Sequence, residues 1–335
     1  MSPSEHWVKA AYRGSGWLKL LRPLAALYRY AMARREAAYR RGDKNQWRAP
    51  VPVLVVGNIT LGGTGKSPLV AWLARWLVAR GYRPGIVSRG YGGKSPSYPL
   101  DVHADTPVAH SGDEPLMLAQ QTGVAVVADP QRARGAQRLV ALGCDIILSD
   151  DGLQHLALAR DIELVVVDGS RGLGNGECLP AGPLREPAER LQRVDKVIVN
   201  GGCEAASFGE VLAVDFTAMT LKPTAWRRLD GLRAPLEPLP FEQPVHGLAG
   251  IGNPQRFFKT LTSLGVKGDW HALGDHHRFR AEDFAFGDER SIVITAKDAV
   301  KCRELAPSNT WILEVEADLP PHFEDWLATR LLEIT

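Results

Sequence analysis

The sequence has few cysteines and no repeated or low-complexity segment, and these absences exclude several classes of protein. The four cysteines (Cys144, Cys178, Cys203 and Cys302) are scattered, with no Cys-x-x-Cys pair and no His/Cys spacing suited to zinc. A disulfide-stapled secreted domain and a zinc module are therefore excluded, and a reducing cytoplasm is expected. The length of 335 residues predicts about two globular domains.

A long apolar run is also missing. No stretch reaches the roughly 18 apolar residues that a membrane-spanning helix requires, because Lys19, Arg22 and Arg29 interrupt the most apolar segment. The same three charges exclude the apolar core of a signal peptide. The sequence therefore predicts neither a membrane span nor a cleaved leader.

Positive charge is concentrated at the N-terminus. Residues 1–50 carry 11 Lys or Arg against 3 Asp or Glu, whereas the whole chain has 40 and 38. This asymmetry predicts a local anionic partner rather than a nucleic-acid groove through the whole protein.

The N-terminal segment 1–45 also has an amphipathic pattern. One face of a helical projection carries the apolar residues Trp17, Leu20, Leu21, Leu24, Leu27 and Tyr28. Such a helix is typical of a membrane interface, with basic groups opposite the apolar face and close to lipid phosphates. An ordinary amphipathic helix packed on its own domain accounts for the same pattern, and Pro23 predicts a helix start or a kink.

From residue 51 onwards, short apolar runs alternate with helical patterns, which predicts an α/β protein with a P-loop NTPase-like parallel sheet. The predicted strands lie at 51–56, 85–87, 124–128, 145–148, 162–167 and 196–199, and the predicted helices at 67–80, 114–122 and 131–142. A proline-rich, irregular stretch at 217–244 reads as a linker. A second alternation then predicts a smaller α/β domain at 245–335, following a larger α/β domain at 46–216.

A glycine-rich turn follows the first predicted strand, in the segment NITLGGTGKSP at Asn58–Pro68. Glycines allow backbone N–H groups to point inward at a helix start, where they bind phosphate. The candidate nucleotide-binding residues are Thr60, Gly62, Gly63, Thr64, Gly65, Lys66 and Ser67. Lys66 can reach the β/γ-phosphates and Ser67 can hold Mg²⁺. Thr60 stands where the usual motif has glycine, and a flexible turn without a ligand is the alternative.

Acidic residues mark two further candidate positions. Asp150 and Asp151 end the run DIILS, as a Mg²⁺ ligand does beside a phosphate loop, although Asp-Asp-Gly also favours a plain turn. Asp113 caps a predicted helix that begins at Glu114, and a capped carboxylate can still accept a proton. His276, in the second predicted domain, taken alone indicates a surface or structural histidine.

Eight motifs in register make the chain resemble a known family. They are NITLGGTGKSP, SRGYGG, GDEP, SDDGLQH, GLGNGECLPAGPLREP, AGIGNPQRFF, DHHRF and TAKDAVK, in this order over nearly the full length. Together they resemble the tetraacyldisaccharide 4′-kinase family of the lipid A pathway in Gram-negative bacteria.

The resemblance implies a reaction and a location. The reaction is ATP- and Mg²⁺-dependent phosphorylation of the 4′-hydroxyl of a tetraacylated glucosamine disaccharide 1-phosphate, the lipid A disaccharide precursor. The implied location is peripheral, at the cytoplasmic face of the bacterial inner membrane. The implied fold has two α/β/α domains joined by a short β linker.

The resemblance also implies roles for individual residues. Lys66 would contact the phosphates, and Ser67 with Asp150 or Asp151 would hold Mg²⁺. Asp113 would be the base for the sugar hydroxyl, with His276 as its partner across the domain cleft. Five further residues would line the site: Glu114, Arg89, Tyr91, Gln154 and His155. Departures from the family pattern are Ser67 for threonine, Ala296 for glutamate and Gly274 for proline.

Two other functions compete with this prediction. One is a deviant-Walker ATPase switch that binds a protein partner, although Leu61 replaces the signature lysine of that class. The other is a P-loop kinase of a soluble sugar, in which the N-terminal helix would be merely structural.

Overall fold

The strands of the computed structural model, which describes residues 3–201, 214–275 and 277–334, join into one mixed sheet. Among these residues there are thirteen strands: β1 (Val53–Gly57), β2 (Pro84–Ser88), β3 (Leu100–Val102), β4 (Ala125–Ala128), β5 (Ile146–Asp150), β6 (Ile162–Asp168), β7 (Lys196–Asn200), β8 (Phe216–Arg228), β9 (Arg233–Ala234), β10 (Val245–Ala249), β11 (Gly268–Ala272), β12 (Ile292–Thr295) and β13 (Thr310–Asp318). The order across the sheet is β11-β10-β12-β13-β8-β7-β6-β1-β5-β2-β4-β3, and β9 pairs with β8.

Helices cover both faces of this sheet, as the apolar strands require. The described helices are α1 (Pro3–Arg13), α2 (Arg22–Arg40), α3 (Lys66–Ala79), α4 (Val108–Ser111), α5 (Asp113–Thr122), α6 (Arg132–Ala141), α7 (Pro254–Ser263), α8 (Ala296–Cys302) and α9 (Pro321–Leu332). The pairs β1–β5, β1–β6, β2–β5, β2–β4 and β6–β7 are all parallel. The prediction of an α/β fold with a parallel sheet is confirmed.

Strand β8 connects two parts of the sheet, the first formed by β1–β7 and the second by β10–β13. These strands and the helices between them are called the first and second part of the molecule. The first residues of β8, Phe216–Met219, pair in parallel with β7, and the rest of the strand pairs antiparallel with β13. The register shifts beside Pro223, which pairs with Val315 at a bulge. Proline is tolerated at such a bulge because the ladder is locally interrupted there. Part of the stretch predicted as an irregular linker is therefore a strand.

The C-terminal helix α9 packs on the first part of the molecule. Phe323 and Leu327 are fully buried in the same hydrophobic core as Leu73 and Leu77 of α3. The indole of Trp76 donates a 2.9 Å hydrogen bond to Glu324. The division of the chain into domains at 46–216, 217–244 and 245–335 stays a prediction, and these contacts bring the last helix back to the first core.

The N-terminal segment folds as α1, a 3₁₀ turn at Gly16–Leu21 and then α2, with Pro23 in the first turn of α2. Leu18 and Ala25 are buried, whereas Trp17, Leu20, Leu24 and Leu27 remain 52%, 82%, 54% and 64% exposed. Leu21 and Tyr28 of the predicted apolar face are half-buried, and Tyr28 turns inward onto the protein core. The described helices include none that is both long enough and apolar enough to cross a bilayer.

The described cysteines are small buried groups. Cys144, Cys178 and Cys302 are buried free thiols, and burial raises the pKa of each. Cys203 lies outside the described residues.

Candidate active site

The glycine-rich turn lies between β1 and α3, where a phosphate loop is expected. Gly65 precedes α3 in a left-handed conformation with φ of +96°. A Cβ at this position would also collide with the side-chain amide of Asn200, at the end of β7. That amide donates a 2.8 Å hydrogen bond to the Thr64 carbonyl. Glycine is therefore required here both by backbone conformation and by the neighbouring strand.

Thr60 fits this turn without strain. It forms an isolated β-bridge with Leu184, and its side chain is buried with 1% exposure. The φ angle of Thr60 is not positive, since Asp151 is the described non-glycine residue with positive φ. A residue with a side chain is therefore accommodated at this position, and the first glycine of the usual motif is not needed.

The two aspartates at the end of β5 have different environments. Asp150 is fully buried, one of its carboxylate oxygens accepts a 3.2 Å hydrogen bond from Ser88, and the other has no hydrogen-bond partner among the described residues. Burial, together with Glu114 and Asp151, raises the pKa of Asp150 to about 7. Because this site brings carboxylates together in a buried place, it favours the approach of a cation.

Asp151 is held by two basic side chains. Lys66 Nζ lies 3.5 Å from its Oδ1, and Arg185 lies 3.1 Å from its Oδ2. Burial acts to raise the pKa of Asp151, but Lys66 and Arg185 together hold it well below its usual range. The residue has φ of +49°, a conformation in which backbone strain is found at functional sites. Lys66 and Ser67 form the first turn of α3 beside this pair.

Asp113 lies at the start of α5, after a tightly packed turn. It is buried with 5% exposure, and its Oδ1 accepts a hydrogen bond from the backbone N–H of Glu114. The segment SRGYGG packs on this turn, and a Cβ at Gly93 would contact the backbone N of Gly112 at 2.5 Å. The carboxylate is therefore fixed on a helix N-terminus rather than on a free loop.

Lys297 joins this acidic group from the second part of the molecule. Its Nζ lies 3.0 Å from Glu114 Oε1, 3.8 Å from Asp113 Oδ2 and 3.9 Å from Asp275 Oδ1. Burial acts to lower the pKa of Lys297, but Glu114, Asp113 and Asp275 raise it above its usual range. His276, the predicted partner of Asp113, lies outside the described residues, next to Asp275.

The four remaining predicted site residues surround the acidic groups in different ways. Arg89 and Tyr91 are exposed, and Tyr91 is 59% exposed. Gln154 donates hydrogen bonds to the Asn58 carbonyl at 3.1 Å and to Glu186 at 2.5 Å. Burial, followed by Arg132 and Arg89, lowers the pKa of His155 to about 4, so this imidazole is neutral at pH 7.

The second part of the molecule touches the glycine-rich turn directly. A Cβ at Gly252 would collide with the backbone N of Gly63, so the two backbones are in close contact. Arg171 contacts both sides, with hydrogen bonds to the Gly63 carbonyl and, at 3.3 Å, to the Gly252 carbonyl. Asp168, at the end of β6, accepts hydrogen bonds or ion pairs from Arg171, Asn253 and Arg256.

Sequence reasoning missed three basic residues of this region. Arg132 is 2% exposed and donates a 3.0 Å hydrogen bond to the backbone carbonyl of Asp150. Lys297 lies in TAKDAVK, one of the motifs that carry the family resemblance, and Arg171 directly precedes another, GLGNGECLPAGPLREP. These positions were the available signal, but neither motif reveals which carboxylate its basic residue meets.

Comparison with known proteins gives consistent matches over nearly the whole chain. The model of the tetraacyldisaccharide-1-P 4′-kinase family matches residues 17–332. A tetraacyldisaccharide 4′-kinase of Pseudomonas aeruginosa is 50% identical over 333 residues, covering 99% of this chain and 98% of the relative. The protein of the same name from Alkalilimnicola ehrlichii is 51% identical over 324 residues, with 94% and 92% coverage.

A solved structure is similar in fold as well. The crystal structure of LpxK from Aquifex aeolicus in complex with ATP has a TM-score of 0.77 and 28% sequence identity. The match covers 95% of this chain and 99% of that chain.

Proposed function

The chain belongs to the tetraacyldisaccharide-1-P 4′-kinase family, and on that premise we propose how its residues transfer phosphate to the lipid A disaccharide precursor. The protein is an ATP-dependent kinase that acts at the 4′-position of a tetraacylated disaccharide 1-phosphate. One observation carries the proposed mechanism. Lys66, at the start of α3, lies beside Asp151 and the buried Asp150 at the end of β5. The turn that leads into α3 requires glycine at Gly65. The ATP-bound relative of the same fold supports the choice of phosphoryl donor.

The glycine-rich turn binds the triphosphate of ATP in this proposal. Residues 62–65 supply backbone N–H groups, and Lys66 supplies a positive charge for the β/γ-phosphates. Lys66 Nζ lies 3.5 Å from Asp151 Oδ1, which places it beside the acidic end of β5. Phosphoryl transfer chiefly requires that the reacting groups be aligned and that charge on the phosphates be neutralised. The turn and Lys66 can provide both.

The oxygen donors present here fit Mg²⁺. Asp150 offers a buried carboxylate oxygen without a partner among the described residues, and the Ser67 hydroxyl lies in the adjacent helix turn. No set of three or more His, Cys, Asp or Glu in the described parts of the chain could hold a metal ion unaided. We infer that Ser67 and Asp150 or Asp151 hold the ion together with phosphate oxygens of ATP. Bound there, Mg²⁺ would neutralise charge on the β- and γ-phosphates.

Asp113 is the proposed base for the sugar hydroxyl. Its carboxylate is buried and fixed at the start of α5, which is the orientation that proton acceptance requires. Lys297 lies 3.8 Å away and keeps positive charge beside the two acidic residues of this turn. His276 remains the proposed partner of Asp113, with the second part of the molecule supplying both His276 and Lys297.

The N-terminal helices are the proposed contact with the membrane. The exposed side chains Trp17, Leu20, Leu24 and Leu27 form an apolar surface with basic residues around it. An acylated substrate stays in a bilayer, so the enzyme has to reach the sugar at the lipid surface. We propose that this surface docks on the cytoplasmic face of the bacterial inner membrane and holds the protein there as a peripheral protein.

An acceptor panel tests the proposed function. Purified protein is incubated with γ-labelled ATP, Mg²⁺ and either the tetraacylated disaccharide 1-phosphate in mixed micelles or a set of soluble sugars. The expected result is label on the 4′-oxygen of the lipid alone. Label on a soluble sugar alone would favour the soluble-sugar kinase, and ATP hydrolysis without labelled acceptor would favour an ATPase switch. Membership of the kinase family and the identity over the full chain favour neither alternative.

A further inference from the structure

The glycine-rich turn is held from outside by side chains that donate to its carbonyl groups. The amide of Asn58 donates to the Thr60 carbonyl at 2.8 Å and makes a longer, 3.5 Å contact with the Gly62 carbonyl. The amide of Asn200 donates to the Thr64 carbonyl. The carbonyl groups of Leu61 and Gly63 accept from two further side chains, which come from other parts of the chain.

Those two donors are Tyr12 and Arg171. The Tyr12 hydroxyl donates a 2.6 Å hydrogen bond to the Leu61 carbonyl. Arg171 donates to the Gly63 carbonyl, and its guanidinium lies over the Tyr12 ring, 4.9 Å from the centroid. The tyrosine thus contacts the turn directly through its hydroxyl and indirectly through the cation that it supports.

This arrangement determines which way the N–H groups of the turn point. In a trans peptide unit the C=O of one residue and the N–H of the next point in opposite directions. The Leu61 N–H donates to the Pro183 carbonyl at 2.9 Å, whereas donors on the carbonyls of residues 61–64 direct the N–H groups of residues 62–65 away from those donors. That is the orientation in which a phosphate can accept hydrogen bonds from the turn, and fixing it beforehand reduces the entropic cost of binding.

Tyr12 belongs to α1, and the 3₁₀ turn at Gly16–Leu21 that follows α1 in the chain carries Trp17 and Leu20 of the exposed apolar surface. Ala11 is fully buried, and its carbonyl accepts a 3.3 Å hydrogen bond from the backbone N–H of Asn175. On α2, the Tyr28 hydroxyl donates at 2.8 Å to the carbonyl of Arg185, the residue that pairs with Asp151. The inner side of the N-terminal segment therefore contacts the phosphate turn through Tyr12 and the backbone of Arg185 through Tyr28, while its outer side exposes the leucines.

We propose that Tyr12 is a positioning residue for ATP, holding the Leu61–Gly63 turn in its phosphate-binding conformation, and that it links membrane docking of the N-terminal helices to nucleotide binding. The second half of this inference rests on the proposed membrane contact. The first half does not, because the Tyr12 contacts are present within a single chain. A vesicle that orders the N-terminal helices also orders the Tyr12 hydroxyl, and nucleotide binding strengthens accordingly.

The experiment for the first half measures ATP affinity of the full chain by titration calorimetry without lipid. Tyr12→Phe removes the hydroxyl and keeps the ring beneath Arg171. Loss of this partly buried hydrogen bond is expected to raise the Kd for ATP about three- to tenfold, with a matching rise in KM for ATP and a change in kcat of less than about twofold. Tyr30→Phe is the matched control, since Tyr30 is 61% exposed in the same segment, and it is expected to leave the Kd unchanged.

A Tyr12→Phe protein that binds ATP as tightly as the wild type would overturn the inference. If Tyr12→Phe fails to fold, Arg171→Lys replaces it, because lysine keeps the charge beside Asp168 but cannot bridge Gly63 and Gly252 in the same way. Arg171→Lys is expected to raise the Kd for ATP as well. An unchanged Kd in that variant would overturn the inference equally.

The second half is tested by repeating the titrations with vesicles of phosphatidylethanolamine and phosphatidylglycerol in a 3:1 ratio. For the wild type we expect vesicles to lower the Kd for ATP about threefold or more, and ATP to strengthen vesicle binding by the same factor. In Tyr12→Phe that factor should fall towards one. Equal factors in both proteins, or vesicle binding without any effect on ATP, would contradict the link. Absence of vesicle binding by the wild type would instead refute the proposed membrane contact, leaving the lipid-free comparison to decide the role of Tyr12.

Discussion

Lys297 Nζ lies 3.0 Å from Glu114 Oε1, and this ion pair joins the helix that follows β12 to the helix that carries Asp113. The same ammonium group is 3.8 Å from Asp113 and 3.9 Å from Asp275. One half-buried cation thus meets acidic residues from both parts of the molecule. Lys297 therefore links the charge of Asp113, the proposed base, to the contact between the two parts of the molecule. The second part also contains His276 in its sequence.

Replacing Lys297 with methionine should slow catalysis. Without the ammonium group the acidic side chains repel one another, and protonation of one of them relieves the repulsion. We expect kcat to fall about 10- to 100-fold and the acid limb of its pH profile to move to higher pH, while ATP affinity stays close to that of the wild type. Lys297→Arg should recover part of the loss. Lys259→Met, at an exposed lysine of α7, is the control. An unaltered kcat and pH profile in Lys297→Met would exclude the proposed role.

Gly65→Ala should abolish tight nucleotide binding. The added methyl group meets the Asn200 amide, and the φ of +96° adds a cost of about 1–2 kcal/mol for a non-glycine residue. We expect the Kd for ATP to rise at least about tenfold. Gly81→Ala is the matched control, because Gly81 has φ of +87° but no atom within 4 Å of the added Cβ. Equal ATP affinities in the two variants would show that the contact with Asn200 is unimportant.

The apolar surface of the N-terminal segment can be tested without deleting it. Leu20, Leu24 and Leu27 are exposed, so the triple change to serine should leave folding intact. Each leucine inserted to half its area contributes about 1 kcal/mol to binding, so affinity for anionic vesicles should fall about 100-fold in co-sedimentation. A triple serine variant at the exposed Leu142, Leu305 and Leu332 serves as control. Equal sedimentation of the two variants would refute the membrane contact.

His155 should make the protein less stable in mild acid. Burial lowers its pKa to about 4, compared with about 6.5 for an unfolded chain. Between these pH values the unfolded state binds a proton that the folded state does not, so stability decreases as the pH falls through this window. His155→Gln should reduce the difference in unfolding free energy between about pH 7.5 and pH 5, measured with urea. His322→Gln, at an exposed histidine of α9, controls for the loss of an imidazole. A pH dependence unchanged in His155→Gln would contradict the assignment.

Much of the fold follows from local sequence patterns. The strands that contain VLVVG and IELVVVD are continuous apolar runs because both faces of the parallel sheet are covered, and their positions match the prediction. The helix that starts within NITLGGTGKSP begins at Lys66, directly after Gly65, which adopts a left-handed conformation. Strand β8 was harder to predict, because Pro223, one of the prolines that suggest a linker, lies within the strand at a bulge.

The candidate site was only partly accessible to sequence reasoning. Residues next to strand ends, such as Asp150 and Asp151, are predictable because parallel strands end at the same edge of the sheet. Contacts between distant segments are not, since no local pattern predicts that Tyr12 meets Leu61 or that Lys297 meets Glu114. The inward orientation of Tyr28 was missed for the same reason. A helical projection considers only the residues of one helix, so it cannot predict the hydrogen bond from Tyr28 to the distant Arg185 carbonyl.

The most direct test of the central claim is a single-turnover assay of Asp113→Asn with γ-labelled ATP and the tetraacylated disaccharide 1-phosphate, accompanied by a measurement of the Kd for ATP. Asparagine keeps the size of the side chain but cannot accept the hydroxyl proton, so transfer should slow about 10²- to 10⁴-fold while the Kd stays within about twofold of the wild-type value. Asp105→Asn, at an exposed aspartate nearby, should behave as the wild type. Transfer by Asp113→Asn at the wild-type rate would contradict the account.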